Sequence, residues 1–287
     1  MGELPLRVVT HRNWLARLFA PYGGVQDFGM DVCPEEVLSY AWWAPSEWVA
    51  RAHASGVFLP LVSCGANWAD KLDVSDHWLH RRVITVPAGE AVEAAKKLKG
   101  DTVFVKLPEA KTDAFPACLV FKNHLGSVLA SPLVGADTLV QLSEEIQFSC
   151  EARFFVAHGR VVASSWYQKD GLVWVDEGFV GGTDYEMSVL TEMADAVASS
   201  RKSPRGYTVD IGVVRDTPYT PAIVEFNAAW SSNPYDADMR GVYEAVRASN
   251  MHTLPEAEQR YQRDNWAFDV SGVPGVHRPL PARGSYL

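Results

Sequence analysis

Val209-Asp210-Ile211-Gly212-Val213-Val214, a short turn, and then Ala222-Ile223-Val224-Glu225-Phe226-Asn227 form the stretch of this 287-residue chain that decides its reading. Two apolar runs joined by a turn predict an antiparallel hairpin. Side chains alternate across a strand, so Val224 and Phe226 face one way while Glu225 and Asn227 face the other. On the preceding strand Tyr207, Val209, Ile211 and Val213 form the apolar set, leaving Asp210 on the opposite side with Thr208 and Gly212. A register that pairs Asp210 with Glu225, or is displaced by two residues, gathers three oxygen-bearing groups on one patch. Two carboxylates and an amide at that range call for a cation between them. Mg²⁺ is the natural candidate, because it takes hard oxygen ligands and bridges carboxylates to phosphate oxygens. The alternative is the solvated face of an antiparallel sheet, which needs no ligand. The apolar flanks and a further carboxylate at Asp238 speak for the ligand.

Outward from this hairpin the chain alternates between element types. Leu6 to Thr10 reads as a first strand, followed by an aromatic-rich helix around Trp14 to Phe19 and a turn at Gly23 and Gly24. Pro34, Glu35 and Glu36 suit the first turn of a helix, and Ser46 caps another running to about Ala54. Strands are expected at Val57 to Val62, Arg82 to Val86 and Thr102 to Leu107, with a helix at Gly89 to Lys99. Ile146 to Ala157, a tight turn at His158 and Gly159, and Arg160 to Gln168 predict a further hairpin. Thr183-Asp-Tyr-Glu186 is a capping box, and Met187, Leu190, Ala194, Val197 and Ala198 behind it hold an apolar stripe. A short helix follows around Val242 to Ser249, and the Pro- and Gly-rich end reads as a tail on the surface. Strands and helices in alternation, then long hairpins, give an α+β fold class.

Other residues in these elements carry chemistry of their own. Lys106 ends an apolar strand, where an ammonium either escapes to water or meets an anion. Lys111, in the loop beyond, is either a surface group or a mobile cation able to close on a phosphate. Alternation puts Glu151 and Arg153 on one face of the long strand. They form an ion pair there, or Arg153 holds a carboxylate or phosphoryl group with its planar fork. His77 and His80, spaced i and i+3, suit either a metal pair or a surface. Trp42, Trp43 and Trp48 suit core packing or an aromatic binding surface. No GxSxG motif and no Cys with a His partner offers a protein nucleophile.

Composition narrows the classes. An apolar fraction of 47% and a charged fraction of 21% belong to a soluble globular protein. A net charge of −9 argues against nucleic acid, whose backbone requires a field of Lys and Arg. A small anion such as ATP is still accessible, because a few local cations suffice for it. No uncharged apolar run approaches the roughly 18 residues of a membrane span. Cys33, Cys64, Cys118 and Cys150 form no CxxC pair, as expected of reduced thiols. The N-terminus, with Glu3 and Arg7, lacks an apolar signal core, so the expected compartment is the cytoplasm.

In this order the stretches resemble the ATP-grasp superfamily, and within it the branch of predicted carboxylate-amine ligases named for a pair of arginines and a lysine. The resemblance rests on Phe104-Val-Lys106-Leu-Pro with Lys111 and Phe115 downstream, on Glu151-Ala-Arg153-Phe-Phe, on Val209-Asp210 followed by Val224-Glu225-Phe226-Asn227, and on Trp230-Ser231. It spans roughly residues 100 to 240. The resemblance implies that two lobes clasp ATP behind an α/β N-terminal lobe. It implies that Lys106 and Lys111 grip the phosphates, that Glu144 and Glu145 run past the adenine, and that Asp210, Glu225 and Asn227 hold magnesium. The expected division is an N-terminal lobe at 1–87, an ATP-grasp-like domain at 88–250 and a tail at 251–287. Two departures stand out: Leu107 separates Lys106 from Pro108 where the family pattern runs directly from Lys to Pro, and no Gly-rich phosphate loop is evident. The second arginine is open, with Arg240 as the candidate.

The expected reaction is ATP-dependent ligation of a carboxylate to an amine through an acyl phosphate, with Lys106 and Arg153 in catalytic roles. Amino acids or peptides are the expected acid and amine by analogy with the family, and the oligomeric state is not legible. Two rivals remain: a kinase-like phosphotransferase, and a degenerate ATP-grasp protein that binds nucleotide or peptide without turnover.

Overall fold

The structure, a computed structural model, describes residues 4–29, 34–55, 57, 59–71, 76–108, 115–132, 134–176, 178–199, 203–217 and 219–250. Along the chain run β1 (Leu6–Val9), α1 (Asn13–Phe19), β2 (Gly24–Asp27), β3 (Ala41–Trp43) and α2 (Ser46–Ala54). Next come α3 (Trp68–Lys71), α4 (Asp76–Leu79), β4 (Val83–Pro87), α5 (Ala88–Ala95), β5 (Thr102–Lys106), β6 (Cys118–Phe121), α6 (Leu125–Leu129) and β7 (Leu139–Ser143). The remainder holds β8 (Phe148–Ala157), β9 (Arg160–Lys169), β10 (Leu172–Val173), α7 (Asp184–Ala198), β11 (Gly206–Val214), β12 (Pro221–Asn227) and α8 (Met239–Ala248). Two compact units result. The first draws on the described residues of Met1–Leu61, Val83–Glu145 and Asn250–Leu287, and the second on those of Val62–Arg82 and Ile146–Ser249. The expected C-terminal tail lies outside the described residues.

The first unit contains two sheets. β1 is the centre of a parallel sheet ordered β2-β1-β3. Trp42, Trp43 and Trp48 are all buried beside it, with Trp42 and Trp48 stacked at 5.7 Å, so these tryptophans belong to the core and not to a binding surface. The second sheet is antiparallel and ordered β4-β7-β5-β6. Four buried alanines of α5, Ala88, Ala91, Ala94 and Ala95, pack in one cluster with Val103, Val105, Val140 and Leu142. In β5 these valines alternate with Phe104 and Lys106, which therefore share the outer face. The strand expected over Val57 to Val62 does not form among the described residues, which make a lone bridge between Leu61 and Asn250. Pro60 removes a ladder donor from the middle of that run.

The second unit is built on a five-stranded antiparallel sheet ordered β10-β9-β8-β11-β12. β8 and β9 are joined at His158 and Gly159, whose φ values of 50° and 76° both lie in the left-handed region that a tight hairpin turn requires. α7 opens on the expected capping box: Glu186 N–H donates to Thr183 Oγ1 at 3.2 Å, and Thr183 N–H donates to Glu186 Oε2 at 2.7 Å. α7 and α8 both pack on β8, β9 and β11. The amphipathic α8 lies unusually close to the sheet, because a Cβ on Gly241 would strike the Val162 carbonyl and one on Gly206 would strike Ser249 N. Trp68 packs on Phe226 at 5.0 Å, and Trp230 donates its indole N–H to the Val62 carbonyl at 3.0 Å. Residues 62–82 are thereby tied to the late strands. Among the described residues no helix is long and apolar enough to cross a membrane.

Candidate functional site

β11 and β12 pair with Asp210 opposite Glu225 and Thr208 opposite Asn227, the first of the two registers that bring the polar residues together. The ladder then slips by one residue, so that Ile211 faces Ile223 and Val224 is the extra residue of a β-bulge. The slip changes the phase of β12. Glu225 shares the side of Asp210, while Ile223, two residues away, stays with Ile211 on the apolar side, where both are fully buried. Simple alternation along the sequence misses this, because Ile223 and Val224 are both apolar.

On the polar face the side chains hold one another. Asn227 Nδ2 donates to Asp210 Oδ2 at 3.0 Å and to Glu225 Oε1 at 2.9 Å. Arg153 donates from Nε and Nη2 to the two oxygens of Asp210 at 2.8 and 2.7 Å. That pair is almost wholly buried, with side-chain exposures of 2% and 1%. Of the two roles open for Arg153, its ion-pair partner is Asp210 and not Glu151, and its fork lies on a protein carboxylate. A buried cation and an amide thus share the neutralising role that the sequence suggested for a metal. Nη1 of Arg153 reaches toward the Asn233 carbonyl at 3.5 Å. Two tyrosine rings flank the guanidinium, Tyr235 at 5.2 Å and Tyr167 at 5.7 Å, themselves stacked at 5.3 Å. Tyr235 is held at a φ of 51°, with its N–H on Asn233 Oδ1 at 3.1 Å.

Glu151 lies on the same sheet, across from Gly212, and accepts a short hydrogen bond from the Tyr167 hydroxyl. Burial pushes its carboxyl up to about 7; the Tyr167 hydrogen bond and Arg81 oppose that shift, and the charges of Asp210 and Glu225 add to it. Burial alone would lower Arg153, but the charge and hydrogen bonds of Asp210 outweigh it, and the net direction is upward. Burial raises both tyrosines. At Tyr167 the carboxylates of Asp210, Glu151 and Glu225 add to the rise, and at Tyr235 Arg153 opposes it. Three carboxylates set against two guanidiniums leave this face disposed to accept positive charge.

The second guanidinium is Arg81, which gave no signal in the sequence because its partners lie more than a hundred residues away. Its Nη1 donates to the Ile223 carbonyl and its Nη2 to the Val224 carbonyl, each at 2.7 Å, with Leu79 O at 3.1 Å from Nη1. Burial lowers Arg81 to about 10, against the upward pull of Glu151 and Glu225. Arg240, by contrast, is exposed on the first turn of α8, where its N–H donates to the capping carboxylate of Asp238 at 3.3 Å.

The remaining predicted residues belong to the first unit. Lys106 is half-buried at the end of β5, opposite Gln141. Glu144 accepts from the Lys99 N–H at 2.9 Å and Glu145 from the Thr102 hydroxyl at 3.1 Å, so both brace the entry to β5. Lys111 lies outside the described residues. Among the described residues no group of three or more His, Cys, Asp or Glu is placed to hold a metal ion. The set of Asp210, Glu225 and Asn227 includes an amide and lies within one hydrogen-bond network. Hard oxygens of that kind suit Mg²⁺.

A family model for an ATP-grasp domain, family 2 of the clade named for two arginines and a lysine, matches residues 78–245. The chain belongs to this ATP-grasp family. The match takes in Arg81, Lys106, both long hairpins and most of α8, so the polar face described above falls inside it. The fold is accordingly the α+β ATP-grasp fold. Among solved structures, this ATP-grasp chain is similar to a RimK domain ATP-grasp protein from Sphaerobacter thermophilus, at 16% identity, 85% of this chain, 98% of that one and a TM-score of 0.46. It is also similar to D-alanine–D-alanine ligase from Bacillus anthracis, at 12% identity, 79% and 87% coverage and a TM-score of 0.45. A third is N5-carboxyaminoimidazole synthetase from Staphylococcus aureus complexed with ADP, at 11% identity, 88% and 78% coverage and a TM-score of 0.49. A comparison with curated proteins returns no match.

Proposed function

We propose that this ATP-grasp protein is an ATP-dependent carboxylate-amine ligase. One observation carries the reading: within the family-matched region, Asp210, Glu225 and Asn227 meet on one sheet face around a single side-chain amide, beside a buried arginine. Asp210, Glu225 and Asn227 would hold Mg²⁺, which when bound supplies charge neutralisation to the nucleotide phosphates. Arg153 keeps Asp210 ionised and fixes its orientation, so the carboxylate needs no rearrangement to serve. Lys106 and Lys111 contribute cations to the phosphates. In the reaction the bond between the β- and γ-phosphates breaks, ADP leaves, and the substrate carboxylate becomes an acyl phosphate. Amine attack then forms the C–N bond, breaks the C–O bond to phosphate, and releases inorganic phosphate and a proton. Catalysis on this reading is positioning and electrostatics, with no protein nucleophile. The thiol of Cys150 suits that absence: it is buried, and burial pushes it up to about 11.

ADP release tests the reading, with MgATP and paired panels of amino acids and short peptides as acid and amine. ADP should form only when both partners are present, and Glu225→Gln should lower its rate at least about a hundredfold. ADP formed with the acid alone, together with a stable phosphorylated product, would instead identify a phosphotransferase. Nucleotide binding with no turnover across the panel would identify a binding protein.

A further inference from the structure

β12 has to serve two faces at once. Ile223 is fully buried opposite Ile211, and Glu225 stands opposite Asp210 on the polar side. In an unbroken strand residues two apart share a face, so Ile223 and Glu225 would go together to the core or together to the site. Val224, inserted as a bulge, separates them. A bulge leaves backbone groups outside the regular ladder, and those groups need partners. Consecutive carbonyls of a regular strand point to opposite edges. Here the carbonyls of both Ile223 and Val224 are taken by one guanidinium, that of Arg81, at 2.7 Å each.

We propose that Arg81 is a positioning residue for the candidate site: by clamping these two carbonyls it holds the bulge whose phase change turns Glu225 toward Asp210 and Asn227. A planar fork with two donors suits this task, and a lysine ammonium does not match it. The inference rests on the ligase reading for its consequence, cation binding, while the backbone geometry it concerns is independent of any metal. Charge and position make opposite predictions. Arg81 faces Glu151 and Glu225, so removing its charge alone would strengthen the hold of this face on a cation. Loss of the bulge would displace Glu225 and weaken it.

Two measurements on the full chain decide the matter. In the first, Mn²⁺ binding with ATP is followed by electron paramagnetic resonance for wild type, Arg81→Met, Arg81→Lys and Glu225→Gln. Arg81→Met should weaken Mn²⁺ binding by about tenfold or more, Arg81→Lys by a smaller factor, and adding Glu225→Gln to Arg81→Met should bring little further loss because both act through one carboxylate. Tighter or unchanged binding in Arg81→Met, or losses that simply add, would overturn the proposal. In the second, crystal structures of Arg81→Met and Arg81→Lys are determined without metal. The register beyond Asp210 should regularise or Glu225 should leave Asn227 in Arg81→Met, whereas an intact bulge with Glu225 still on Asn227 would overturn the proposal. Should Arg81→Met not fold, the lysine variant carries both tests. Should wild type bind no Mn²⁺ with ATP, the ligase reading fails, and the metal-free structures still decide the role of Arg81.

Discussion

Asp210 and Arg153 are committed to each other in the interior, and this determines what their mutants report. Asp210→Ala leaves a guanidinium buried without its carboxylate, a change that lowers unfolding free energy by roughly 3–5 kcal/mol. Urea denaturation should show that loss, whereas half-buried Glu225→Gln should stay within about 1 kcal/mol of wild type. Loss of activity in the Asp210 variant therefore mixes chemistry with folding, and Glu225 is the cleaner probe. Glu151 gives a pH signature. Its folded carboxyl is raised to about 7, so the folded state holds the proton more tightly than the unfolded chain. The associated stability is fully present below the ordinary carboxylate range near pH 4.5 and is lost as pH rises to about 7. Unfolding free energy should fall across that window by up to roughly 3 kcal/mol, and Glu151→Gln should flatten the decline. Asp210, Glu225 and Asn227 were legible as a group because polar residues stand out at strand spacing. Arg81 was not, since nothing local marks a cation whose partners are carbonyls far along the chain.

At the level of elements, the legible pieces are those whose signal is local and chemical. The His158-Gly159 turn and the Thr183–Glu186 capping box each need particular residues at fixed offsets, and both appear where expected. Thr183→Ala should cost about 1 kcal/mol, seen as a lower midpoint in chemical denaturation. Contact between backbones left fainter marks. Gly241→Val would drive a side chain into the Val162 carbonyl and should destabilise the second unit by more than about 3 kcal/mol, measured the same way. β2 and β3, of four and three residues, are too short for periodicity to identify, and the bulge in β12 hides between two apolar residues. The run from Val57 to Val62 has strand composition but only the lone bridge of Leu61 among its described residues, because pairing partners and not propensity decide whether a strand forms.

For the whole molecule, a ligand that binds only the folded state raises its melting temperature by mass action. MgATP at about a hundred times its dissociation constant should raise it by roughly 5 °C or more, and chelating the magnesium or introducing Glu225→Gln should remove most of that shift. Charge was the whole-molecule property most easily read, and the two compact units were the least, because each is assembled from segments separated in sequence. That arrangement sets a schedule for synthesis. The Arg81 clamp joins residues 142 apart, and the Trp230 bond to Val62 joins residues 168 apart. A ribosome adding about 5–20 residues per second leaves the segment around Trp68 outside the exit tunnel for roughly ten to thirty seconds before its receiving strands exist. During that interval the nascent chain displays an aromatic side chain that the finished protein hides, which makes this stretch a landing point for chaperones and ties the yield of folded protein to elongation speed.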